Sequence, residues 1–102
     1  MKKALIVMTL TLCSLGLTSV QAGDAEVGAN TFNSRGCVGC HGAAGKKPIA
    51  NYPVIGGKPS IFIAAELKKF RDGERQSPIM GPMAAGLSDA DIEDLAAYLT
   101  AQ

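Results

Sequence analysis

The amino-acid sequence predicts a small all-α domain, three main helices joined by loops rich in glycine and proline. Three observations carry that expectation. Three segments repeat apolar side chains at helical spacing between capping and stopping residues. All five Pro fall in two connectors, residues 42–59 and 74–87, which also hold several of the 12 Gly. No segment after residue 22 alternates apolar and polar side chains as a half-buried strand requires.

Residues 1–22 read as a cleaved secretory signal rather than as part of the domain. Met1-Lys2-Lys3 is a basic start, residues 4–17 form an apolar run, and Val20-Gln21-Ala22 offers small residues where a signal peptidase reads. The run is short for spanning a bilayer, so the chain is not expected to remain in the membrane. Cys13 lies inside it, behind Leu12 rather than the small residue that precedes a lipidated Cys, and is discarded with the signal. The expected mature domain is residues 23–102, 80 residues with eight basic and nine acidic groups, a net charge of −1. Export to the bacterial periplasm follows from the signal.

The first helix is expected from residue 24 to about residue 35, with Val27, Ala29 and Phe32 facing inward and Gly36 as its stop. The second covers residues 60–72. Ile61, Ala64, Ala65 and Lys68 follow one helical row, Ile63, Leu67 and Phe70 another, and Gly73 closes it. Ser88 caps the last helix, and Asp91 three residues on makes a weaker form of the capping box. Asp89, Asp91 and Glu93 suit the positive end of its dipole, and Ile92, Leu95, Ala96 and Leu99 form its apolar stripe. Residues 42–59 and 74–87 are expected as loop.

Composition restricts function. The whole chain has a net charge of +1, 5% aromatic residues and no Trp, so it offers neither a basic field nor stacking platforms for nucleic acid. A domain of 80 residues with few aromatics buries only a thin core and needs a staple. Cys37 and Cys40 are the only thiols left after residue 22, and a disulfide between them would close too small a loop to add much stability. Something else must complete the core.

The chemistry lies in Cys37-Val38-Gly39-Cys40-His41. Two thiols at this spacing can form thioethers with the two vinyl groups of haem, and the His that follows then meets the iron as an axial ligand. A redox dithiol would need a preceding strand and a βαβ setting, which the sequence lacks. A structural zinc site wants four ligands, and Cys37, Cys40 and His41 make three. One covalently bound haem c is the cofactor expected.

His41 is the only His in the chain, so a second imidazole ligand is impossible. Met80 and Met83, in Pro78-Ile79-Met80-Gly81-Pro82-Met83, are the only thioethers after residue 22, and one of the two is expected at the sixth position. A Met taken alone is usually adaptable packing. His/Met ligation raises the reduction potential, and a filled coordination sphere favours electron transfer over ligand binding.

These features resemble the class I c-type cytochromes, above all small bacterial monohaem members and one half of the dihaem cytochromes c. The resemblance covers nearly all of residues 23–102. Gly28-Ala29-Asn30-Thr31-Phe32 matches the family's Gly-x-x-x-aromatic on the first helix, and Leu95-Ala96-Ala97-Tyr98-Leu99 matches the last helix that crosses it. Phe70-Arg71-Asp72-Gly73-Glu74-Arg75 and the loop through Leu87-Ser88-Asp89 look similar as well. The resemblance implies a cytochrome c fold wrapped around its haem. It implies that the carbonyl of Pro53, twelve residues after His41, accepts the imidazole N–H. It also implies that the ligand Met stands about eight residues before the Ser opening the last helix. Met80 satisfies that spacing and Met83 does not. Glu66 and Phe62 depart from the Gln and Tyr that relatives often carry; Tyr52, Lys58 and Arg75 are then the candidates for pairing with the haem propionates.

The expected function is a periplasmic electron carrier, not an enzyme, cycling one iron between Fe(III) and Fe(II). Its partners would be redox proteins such as respiratory complexes, oxidases or dehydrogenases, with Lys46, Lys47 and Lys58 clustered near the haem edge. The alternatives are a haem subunit of a multi-subunit dehydrogenase or oxidase, and a ligand-sensing or peroxidatic haem protein.

Overall fold

Asp24 starts the first helix, its carboxylate accepting the N–H groups of Glu26 at 2.9 Å and Val27 at 3.2 Å. The computed structural model describes residues 23–102; the expected signal segment and Cys13 lie outside the described residues. In chain order the helices are α1 (Ala25–Ser34), α2 (Cys37–His41), a 3-10 turn (Ala43–Gly45), α3 (Ser60–Asp72), α4 (Met80–Ala85) and α5 (Asp89–Thr100). The all-α expectation holds, and there is no strand among the described residues.

The terminal helices cross at a glycine. A Cβ on Gly28 would run into the Asp94 carbonyl of α5 and stand 2.9 Å from Tyr98 Cβ, so only Gly lets the two backbones approach this closely. Phe32, one turn on, is fully buried with its ring centroid 5.6 Å from that of Tyr98. The inward face of α1 is therefore Gly28 and Phe32. Val27, expected inward, is 44% exposed, because the row centred on the crossing glycine leaves it on the flank.

On α3, Ile63 and Ala64 are buried while Leu67 and Phe70 pack against the core. Ile61, expected on the inward row, is 85% exposed instead. It sits in the first turn of α3, ahead of the buried Ile63 and Ala64. Gly73 takes a left-handed φ of 77° and ends this helix as expected. The capping box of α5 is complete: Asp91 N–H donates to Ser88 Oγ and Ser88 N–H to Asp91 Oδ2, both at 3.0 Å. Ile92, Leu95, Ala96 and Leu99 are all buried.

The connectors are more ordered than expected. Residues 74–87 contain α4, with Pro82 at its third residue, where a helix has no use for the missing N–H. Residues 42–59 are fastened to both ends of the fold. Gly57 N–H donates to the Leu99 carbonyl at 2.7 Å, Ile49 N–H to the Cys40 carbonyl at 3.0 Å, and the Gly45 carbonyl accepts from Ile55 and Gly56. Arg71 fastens the second connector, donating to the Leu87 carbonyl at 3.4 Å and to Asp89 at 2.7 Å. No helix among the described residues is long and apolar enough to cross a membrane.

Candidate functional site

The helices and both connectors surround a cavity of about 570 Å³, within the range of cofactor sites. Its walls are mostly apolar: Phe32 from α1, Ile63, Leu67 and Phe70 from α3, Leu95 and Leu99 from α5. The residues that the sequence marks for holding the haem and its iron all border it. Cys37, Cys40 and His41 come from α2, Pro53 from the first connector, Met80 and Met83 from α4.

Gly36, in the left-handed region at φ 78°, turns the chain from α1 into α2. The single turn of α2 places Cys37 and Cys40 three residues apart, on one face. Both are free thiols and both are half-buried. Burial pushes the Cys37 thiol above its ordinary range, the opposite of the lowering that makes a Cys-x-x-Cys pair a reactive dithiol. Among the described residues no cluster of three or more His, Cys, Asp and Glu is gathered closely enough to hold a metal ion.

His41 is 7% exposed. Its Nδ1 lies 2.9 Å from the Pro53 carbonyl oxygen. A carbonyl only accepts, so this contact puts a proton on Nδ1; of the two neutral tautomers it selects the one whose Nε2 keeps its lone pair. Tyr52, beside Pro53, holds its ring 6.4 Å from the imidazole at 56°. The residues fit a covalently tethered haem on this geometry alone: two free thiols on one face, an imidazole whose Nδ1 is engaged by a carbonyl, a thioether in the same wall and an apolar lining.

Tyr52, Lys58 and Arg75 all border the cavity. Arg75 is already engaged: its guanidinium donates to Glu66 at 2.6 Å and lies 4.6 Å above the centre of the Phe70 ring. Glu66 also accepts from Lys69 at 3.1 Å, and Arg75 first, then Lys69, holds its carboxyl below the usual range. Of the three lysines expected near the haem edge, Lys58 alone borders the cavity; Lys46 and Lys47 are exposed elsewhere on the connector. Phe62, Ile79 and Met83 border the cavity while being 49%, 45% and 38% exposed, so they form an apolar rim.

Sequence reasoning missed Ser77. It borders the cavity, and its hydroxyl accepts the Met80 N–H at 3.0 Å. The signal was present, since Ser77-Pro78 ahead of an apolar run is a helix-start pattern.

A family model described as Cytochrome c matches residues 25–102. The chain is 40% identical over 84 residues to cytochrome c-554(548) of Halomonas halodenitrificans, covering 79% of this chain and 99% of that one. It is 35% identical over 102 residues to cytochrome c4 of Pseudomonas aeruginosa, covering 100% of this chain and 49% of that one. Among solved structures it is similar to the cytochrome c4 of Acidithiobacillus ferrooxidans, with a TM-score of 0.71 at 28% identity over 76% of this chain and 49% of that one. The chain thus spans about half the length of the c4 proteins, as its likeness to one half of a two-unit protein leads one to expect.

Proposed function

The chain belongs to the cytochrome c family, whose cofactor is haem c, and from that premise we propose that it is an exported one-electron carrier with His41 and Met80 as axial ligands. Haem c supplies an iron that gains or loses one electron without making or breaking a bond to a substrate. The basic start and apolar run of residues 1–22 support export to the periplasm. The observation that carries the reading is the meeting of Cys37, Cys40, His41 and Met80 on the wall of one apolar cavity.

Each residue has a task in that reading. Cys37 and Cys40 tether the cofactor through thioethers. His41 offers Nε2, and its Nδ1–H on the Pro53 carbonyl fixes the ring and raises its basicity. Met80, in the cavity wall, would offer the iron a soft, neutral donor. Phe32, Leu67, Leu95 and Leu99 exclude water, so little solvent rearranges as the charge changes. The rim of Phe62, Ile79 and Met83 is where a redox partner, a respiratory complex, oxidase or dehydrogenase, would approach.

Visible spectra of the purified protein, oxidised and dithionite-reduced, beside a haem stain of a denaturing gel, test the reading. Stain retained on the polypeptide, with a six-coordinate low-spin spectrum in both states, is the expected result. Colourless protein would return the Cys pair to dithiol chemistry. Rapid binding of carbon monoxide by the reduced form would favour a ligand-sensing or peroxidatic role, and stable copurification with a catalytic subunit would favour a permanent haem subunit.

A further inference from the structure

Met80 and Met83 stand three residues apart on α4 and both border the cavity. Residues at that spacing share a helix face without coinciding on it, so a modest rotation of α4 about its axis would turn Met80 away from the cavity. The six residues of α4 cannot fix that rotation by themselves, because a helix this short is not stable alone. Ile79, at its cap position, makes no side-chain bond. One of its internal ties is long, Met83 N–H to the Ile79 carbonyl at 3.3 Å.

What fixes the first turn is Ser77. Its hydroxyl accepts Met80 N–H and its carbonyl accepts Gly81 N–H, both at 3.0 Å. Ser77 in turn ends a segment held down on α3. Arg75 N–H donates to the Lys69 carbonyl at 3.1 Å, the Arg75 guanidinium is pinned by Glu66 and Phe70, and Gln76 donates to the Gly73 carbonyl at 3.0 Å.

We propose that Ser77 is a positioning residue that keeps Met80 at the sixth position, by locking the first turn of α4 through the Met80 N–H. The proposal rests on the reading of Met80 as that ligand. Loss of the hydroxyl leaves the backbone of α4 free to turn, and the population with Met80 withdrawn rises. One lost cap bond corresponds to about a five-fold change in such a population.

The test uses the oxidised holoprotein and its Ser77→Ala, Ser77→Thr, Met80→Ala and Met83→Ala variants, followed by the near-infrared sulfur-to-iron band and by the rate of cyanide binding. Ser77→Ala should bind cyanide about five-fold faster and show a weakened band, with Ser77→Thr restoring both. A purely structural role would lower thermal stability and leave cyanide binding unchanged; that outcome overturns the proposal. If Ser77→Ala does not assemble, hydrogen exchange at Met80 N–H in the unaltered holoprotein decides. Protection above that of Ile79 supports the lock, and equal exposure overturns it. Loss of the band in Met83→Ala with its retention in Met80→Ala would instead overturn the ligand reading itself.

Discussion

Met80 and Met83 are held differently, and that difference separates their roles. Met80 is half-buried with its N–H bonded to Ser77, whereas Met83 is 38% exposed at the rim. Met80→Ala should abolish the sulfur-to-iron band of the oxidised protein, lower the reduction potential and open the iron to cyanide or carbon monoxide. Met83→Ala should keep the band and cost only packing. Spectra of both variants with their midpoint potentials check this. Legibility at this scale depended on how local the chemistry is. Cys37, Cys40 and His41 are adjacent in sequence and could be read directly. Ser77 acts just as locally, three residues from Met80, and its Ser-Pro helix start was open to the same reading. The Glu66–Arg75 contact was not, because it depends on where residues 73–75 lie against α3.

Elements were legible where one helix decides its own ends, and less so where a neighbour does. Gly36, Gly73 and the Ser88–Asp91 box act locally and were anticipated. Val27 and Ile61 were misplaced because the angle at which α1 and α3 meet α5 chooses among adjacent apolar rows. The close approach of α1 to α5 rests on Gly28. Gly28→Ala would set a methyl against the Asp94 backbone, which cannot yield as a side chain end can, and should destabilise the holoprotein by about 1–3 kcal/mol in a denaturant melt. The tie between α3 and α5 makes a second prediction. Arg71 beside Asp89 holds that carboxyl below its ordinary range. A carboxyl whose pKa is lower folded than unfolded adds stability above its unfolded value, and that stability is lost as pH falls through the folded value. Asp89→Asn should therefore be less stable than the parent at neutral pH, yet lose stability less steeply below about pH 4. Glu66, lowered by Arg75 and Lys69, keeps its own share of the acid sensitivity in that variant. Thermal melts at stepped pH measure both slopes.

Over the whole molecule, the core and the cofactor cavity share their residues. Phe32, Ile63, Ala84, Leu87, Leu95 and Leu99 are six of the nine buried apolar side chains among the described residues, and all six border the cavity. Of these nine, only Ala64 on α3 and Ile92 and Ala96 on α5 lie away from it. Those three supply little apolar area, and two of them are Ala. At roughly 0.8 kcal/mol per buried CH2 they cannot offset the backbone entropy of ordering even two helices, at about 1–2 kcal/mol per residue. This is the physical content of the expectation that a thin 80-residue core needs completing, and it concerns the chain without haem. A Cys37→Ser/Cys40→Ser chain should take no haem stain on a denaturing gel. It should also show little helicity by circular dichroism and a dispersionless amide spectrum. Native-level helicity in that haem-free chain would show that the protein side chains suffice, and that the cofactor is a guest in the fold rather than its centre.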